Sequence, residues 1–178
     1  MSNEMGRDGI AGKVNDIKEA VAKETALINR VAPLWGVIAD KNPEWHKIDF
    51  SLAVVSRQPI IGFVEAKCRD CNHKKYPTFF VSLTKYMSAC EVARFTGIPT
   101  YFLVEWLDQT KYVRVPCRTT GVCMGGRLDR GNPNDVEPVI HIPITEFRPV
   151  EEVPEFSSYL PNELNSSEAP HIDWDDDF

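Results

Sequence analysis

Apolar positions at Val14, Ile17, Val21, Ile28 and Val31, with Glu24 in the same series, recur at alternating steps of three and four. This spacing predicts one amphipathic helix that ends before Pro33 and carries a carboxylate inside its apolar stripe. Trp35 to Ala39 is a short apolar run of strand type, followed by a turn through Asp40-Lys41-Asn42-Pro43, whose Asn-Pro pair breaks regular structure. Lys47 to Ser56 and Ile60 to Cys68 predict two strands joined around Arg57-Gln58-Pro59 as an antiparallel hairpin. Phe79-Phe80-Val81 reads as extended. Ser82 is a candidate N-cap for a helix from Leu83 to Thr96, which Gly97 and Pro99 end. Thr100 to Trp106 is a nearly continuous apolar run, the pattern of a strand buried on both faces, and Lys111 to Pro116 returns beside it. Thr119 to Pro138, rich in Gly, Asn, Asp and Arg, predicts a long loop, and Val139 to Ile144 a last strand. The expected class is α/β (α+β), in the order α, β, β, β, α, β with a C-terminal β extension.

The chain has 178 residues, which suits one domain, and its 43% hydrophobic and 26% charged residues are a globular composition. No apolar run approaches the roughly 18 to 20 residues of a membrane span, and Met1 to Lys13 lacks the apolar core of a secretory signal. No membrane association is expected, and the expected compartment is the cytoplasm. The five cysteines, Cys68, Cys71, Cys90, Cys117 and Cys123, give no even disulfide framework.

The net charge of −6 hides a division along the chain. Residues 151–178 hold nine acids and no Lys or Arg, so the body is +3 and the tail −9. Within the body, Arg57, Lys67, Arg69, Lys74, Lys75, Lys85 and Arg94 outnumber Glu65, Asp70 and Glu91, a modest local excess that suits a phosphate backbone. The expected organisation is a flexible segment 1–12, a domain 13–150 and an acidic, largely disordered tail 151–178.

The informative residues are Asp49 and Glu65-Ala66-Lys67. Glu65 and Lys67, two apart on a strand, leave the same face. A hairpin centred near Arg57 sets Asp49 opposite Glu65, so two carboxylates and an ammonium share one patch. Carboxylates that close repel unless a cation lies between them, and Mg²⁺ takes one or two carboxylates plus phosphate oxygens. A lysine beside them can orient water or stabilise charge at a phosphate.

Asp49, fifteen intervening residues and then Glu65-Ala66-Lys67, placed between a first helix and a following helix and strand, resembles the PD-(D/E)XK nuclease superfamily, in particular its small phage and recombination-type members. The likeness runs from about Glu24 to Trp106. Ile48 stands where the superfamily's usual proline would be. The resemblance implies a restriction-endonuclease-like αβββαβ core with a mixed central sheet flanked by helices, and a Mg²⁺-dependent deoxyribonuclease, with Mn²⁺ able to substitute. It implies Asp49, Glu65 and the Ala66 carbonyl as metal ligands and Lys67 at the attacking water. Many members add a glutamate from the first helix. Glu24, inside the stripe, is the candidate here, and Glu19, on the solvent side, is not. Lys85, in the first turn of the second helix, is where the superfamily often places a polar residue facing the site.

Expected DNA contacts are Arg69, Lys74, Lys75, Lys85 and Arg127. A replication or recombination protein is the expected partner of the acidic tail, with its aromatic Trp174 and terminal Phe178, and a homo-oligomer is compatible with the chain. The competing class is a noncatalytic protein on the same scaffold that binds nucleic acid or a replication partner. Plainer readings also stand: Glu24 as a salt-bridged helix residue, Lys74 and Lys75 as solvated charge, Phe156, Tyr159 and Leu160 as anchors of an ordered tail, and the cysteines as small core residues. Cys68-x-x-Cys71-x-His73, with Cys117 and Cys123, is a weak zinc or iron–sulfur pattern, since it forms no paired knuckles.

Overall fold

A computed structural model describes residues 7–55, 59–126 and 136–156, with side chains from Lys18 onward. Helix α1 spans Arg7–Val31, so it begins inside the segment 1–12 read as flexible. Among its described side chains, Leu27, Ile28 and Val31 are buried, whereas Val21 of the stripe is 40% exposed. Ala32–Trp35 then forms a 3-10 turn that Gly36 closes at φ 68°, a left-handed value that glycine adopts without strain. This turn takes up Trp35, where the sequence predicts a strand. Pro33 fixes its own φ inside the turn, so strand β1 begins only at Ile38 and runs Ile38–Lys41.

Strands β2 (Phe50–Ala53) and β3 (Gly62–Cys68) pair antiparallel, with Phe50 facing Val64 and Leu52 facing Gly62. The same register carried one step further places Asp49 against Glu65, as the hairpin argument requires. Strand β4 (Thr78–Ser82) leads into α2 (Leu83–Thr96), which stops at Gly97 with φ 71°. Ser82 holds the N-cap position without a capping bond, because its hydroxyl donates to Glu137 Oε2 at 2.7 Å instead. The chain returns as β5 (Thr100–Glu105), parallel to β3, and β6 (Thr110–Val115), antiparallel to β5.

The main sheet runs β1-β2-β3-β5-β6-β9, where β9 is Arg148–Pro149. It is mixed, with β3 and β5 its parallel pair. Setting aside β4, the order is αβββαβ, and the fold is the expected α/β class. β4 belongs to a second, three-stranded sheet with β8 (Val136–Pro143) at its centre and β7 (Gly121–Gly126) at its edge. Part of the predicted loop 119–138 is therefore strand. Glycine here permits close approach, since a Cβ on Gly125 would lie 2.6 Å from Val139 Cγ2.

The central strands are buried on both faces. Val64, Ala66, Tyr101 and Leu103 pack on the α1 side with Leu27, Ile28 and Trp35, while Phe63, Phe102 and Val104 pack with Tyr86, Ala89 and Ile142. The domain does not end at 150. Phe156 is buried against Trp35 and Tyr101, its Cε1 lies where a Cβ on Gly62 would be 3.2 Å away, and Trp35 Nε1 donates to Val150 O at 2.9 Å. The remainder of the acidic tail, 157–178, lies outside the described residues. Among the described residues, no helix is long and apolar enough to cross a membrane.

Candidate active site

The site forms where the β2–β3 hairpin emerges from its ladder, between the end of α1 and the start of α2. Glu65 is completely buried on β3, and Asp49 immediately precedes β2. Neither Asp49 Oδ2 nor Glu65 Oε1, both shielded from solvent, accepts a hydrogen bond. Burying an unsatisfied carboxylate oxygen is costly, so these two need cations nearby.

Three lysines supply the charge. Lys67 Nζ donates to Glu24 Oε1 at 2.7 Å and lies 3.4 Å from Glu65 Oε1 and 4.0 Å from Asp49 Oδ2. Lys85, from the first turn of α2, donates to Glu65 Oε2 at 3.1 Å and to the Lys47 carbonyl at 3.4 Å, and sits 3.9 Å from Asp49 Oδ1. Lys41, at the end of β1, lies 3.5 Å from Asp49 Oδ1 and over the ring of Phe50. Burial pushes the Glu65 carboxyl above its usual range, against the pull of Lys67 and with the repulsion of Asp49. For Lys67, burial favours the neutral amine, yet the charges of Glu65, Glu24 and Asp49 outweigh it and hold the ammonium above its ordinary pKa. Lys67 is therefore a fixed cation at neutral pH, suited to stabilising charge and unsuited to abstracting a proton.

The structure brings together Glu24, Asp49, Glu65, Lys67 and Lys85 from the sequence-derived set. Glu24 is engaged by Lys67 and does not join a three-acid cluster: among the described residues, no three His, Cys, Asp or Glu side chains are gathered to hold a metal. Glu24, read from the sequence as a further metal ligand, contacts Lys67 in the structure. The carboxylates that fit a divalent cation are Asp49 and Glu65, by their two orphaned oxygens, and the backbone of Ala66 follows directly. Hard cations such as Mg²⁺ accept such a partial oxygen set and complete it with water and phosphate.

Of the expected DNA contacts, Lys74 and Lys75 are exposed. Arg69 is committed to packing: its guanidinium lies over Phe79 and Phe80 and donates to the Phe80 carbonyl at 3.0 Å. Lys85 faces the acids, and Arg127 lies outside the described residues. The basic loop is braced, with His73 N 2.8 Å from Asp108 Oδ1 and His73 Nδ1 2.6 Å from Asp108 Oδ2. All five cysteines are free thiols. Burial pushes Cys68 and Cys117 up to about 11.

Sequence reasoning missed Lys41 and the bracing of the β1–β2 loop. Asn42 Nδ2 donates to Ile48 O at 3.0 Å, Asn42 N donates to Asp49 O at 2.8 Å, and the His46 ring stacks on Phe63. Period-two alternation carries no signal for such loop closure.

No curated protein matches this sequence. Among solved structures, the Holliday junction resolvase Hjc of the archaeal hyperthermophile Archaeoglobus fulgidus is similar, at 13% identity and a TM-score of 0.47, over 72% of this chain and 97% of that one. A family model described as "Phage putative PDDEXK endonuclease" matches residues 16–150, which contain every acid and lysine of the site. The chain belongs to this family of PD-(D/E)XK endonucleases.

Proposed function

We propose that the protein is a divalent-metal-dependent deoxyribonuclease, acting in phage DNA replication, recombination or processing within the host cytoplasm. The carrying observation is the pair of shielded, unsatisfied oxygens on Asp49 and Glu65 in a member of an endonuclease family. Asp49, Glu65 and the Ala66 carbonyl would hold Mg²⁺ or Mn²⁺, which lowers the pKa of bound water and offsets phosphate charge.

The chain's own groups then have defined tasks. The Lys67 ammonium orients the attacking water and stabilises the charge that gathers on the phosphate as the new O–P bond forms and the bond to the leaving sugar oxygen breaks. The attacking water gives up its proton to bulk solvent, and the leaving oxygen takes a proton from solvent. Glu24 fixes Lys67. Lys85 holds Glu65 and Asp49 in place from α2, and Lys74 and Lys75 contact the DNA backbone. The acidic residues of 151–178 compete with DNA for the basic body and offer a docking segment to a replication or recombination protein.

One observation favours a second reading. Lys41, Lys67 and Lys85 neutralise Glu24, Asp49 and Glu65 with no further cation, as a noncatalytic nucleic-acid-binding protein would need. Incubating the purified protein with linear, nicked, branched and single-stranded DNA, with and without Mg²⁺ or Mn²⁺, separates the two. Metal-dependent cleavage lost in Asp49→Ala and Glu65→Ala supports the nuclease, and DNA binding without cleavage supports the second reading.

A further inference from the structure

Trp45 is 81% exposed, the most exposed large apolar side chain among the described residues. Water disfavours a bare indole, and the loop that displays it is held rigid. Beyond the Asn42 bonds above, His46 N donates to Pro43 O at 2.9 Å, and His46 Nδ1 lies 3.1 Å from Ile48 N. Among the described ring pairs, Trp45 meets its neighbour His46 at a centroid distance of 6.1 Å in a tilted, edge-type arrangement, and His46 is itself stacked on Phe63. The indole is therefore presented to solvent from a fixed frame.

That frame adjoins the acids. The Lys47 carbonyl binds the same Lys85 Nζ that lies 3.1 Å from Glu65 Oε2, and the Cα of Trp45 can be no more than about 7 Å from that of Lys47. Lys47, two residues after Trp45 in the chain, is exposed, as are Lys41 and Glu44 before it. An exposed aromatic ring two residues from the exposed Lys47 suits a nucleobase and its phosphate: ring lies on ring, and the cation meets the backbone. A base inside a continuous duplex has both faces covered already, so only an unstacked base offers one to Trp45.

We propose that Trp45 is a stacking platform for an unpaired base beside the scissile phosphate, which directs the enzyme to gapped, branched or single-stranded DNA over continuous duplex. This rests on the nuclease reading above. The test is a titration, in EDTA, of the full chain with a gapped duplex carrying 2-aminopurine at an unpaired position, and with the matching continuous duplex. Wild-type protein should quench the 2-aminopurine. Trp45→Ala should abolish the quenching and weaken binding of the gapped DNA by about 5- to 100-fold, leave duplex binding unchanged, and be largely rescued by Trp45→Phe. Wild-type-like quenching and affinity in Trp45→Ala, or an equal loss on both DNAs, overturns the stacking. A parallel Mg²⁺ cleavage assay of the wild type separates the two readings: cleavage with no Trp45 effect overturns the stacking alone, whereas no cleavage overturns the nuclease reading on which the placement depends.

Discussion

Glu24 and Lys67, 43 positions apart in the chain, meet at 2.7 Å, joining the end of the first helix to the central strand at the site. The contact gives Lys67 a fixed direction beside two acids that accept too few hydrogen bonds.

Glu24→Gln should therefore lower kcat by about 10- to 100-fold, as loss of an outer partner of a site typically does, with metal affinity nearly unchanged. Glu19→Gln should have no effect, since Glu19 pairs only with the exposed Lys23. Steady-state cleavage kinetics with calorimetric metal titration of both variants checks the contrast.

Saturating Mg²⁺ should raise the melting temperature of the wild type by about 5–10 °C at 100 times Kd, because a ligand that binds only the folded chain stabilises it by mass action. Asp49→Asn and Glu65→Gln should remove this increment and lower cleavage by at least about 100-fold. Differential scanning fluorimetry with and without the ion reads the first effect independently of activity.

Lys74→Ala with Lys75→Ala should weaken binding to all DNA sequences alike and reduce the slope of log affinity against log salt by about one unit for each phosphate that is no longer neutralised. Filter binding across a salt series measures this.

Phe156→Ala should cost about 3–5 kcal/mol, the usual price of removing a buried aromatic, because the ring fills the space between Gly62, Trp35 and Tyr101. Ending the chain after 156 should leave stability close to wild type, and ending it after 150 should not. Urea denaturation of the three chains distinguishes these outcomes.

Thiol chemistry should divide the cysteines. Cys68 and Cys117, pushed up to about 11, should alkylate slowly at pH 8 and faster as pH climbs, whereas the exposed Cys123 should react first. Their folded-state values lie above the unfolded ones, so the folded chain keeps these protons longer. Stability should thus fall as pH rises from about 9 to 11, the window between ordinary and shifted thiol values. Peptide mass spectrometry after timed alkylation and a melting series across that range test both.

Local rules made much of this legible. Asp49 faces Glu65 because a hairpin centred on 57 has one register that keeps Phe50, Leu52 and Val64 inside, and Gly97 stops α2 because the chain there needs a left-handed residue. The inward turn of Glu24 followed from helical spacing, although Val21 in the same stripe is 40% exposed. β7 was not legible, since its strand form comes from pairing with β8 across distant sequence. The packing of Arg69, read as a DNA contact, was not legible because nothing local announces the two phenylalanine rings on which it lies.

The bond from Trp35 to Val150 and the seating of Phe156 also set an order of events during synthesis. The chain emerges with its acids and lysines early, but the apolar layer beneath α1 stays open until residue 156 has left the ribosome. A nascent chain stalled before that point would expose Trp35, Tyr101 and the glycine notch at 62, a sticky surface for chaperones. Maturation of the nuclease fold is thereby tied to synthesis through residue 156, so translation products that stop before it should be cleared as unfolded chains rather than persist as active fragments.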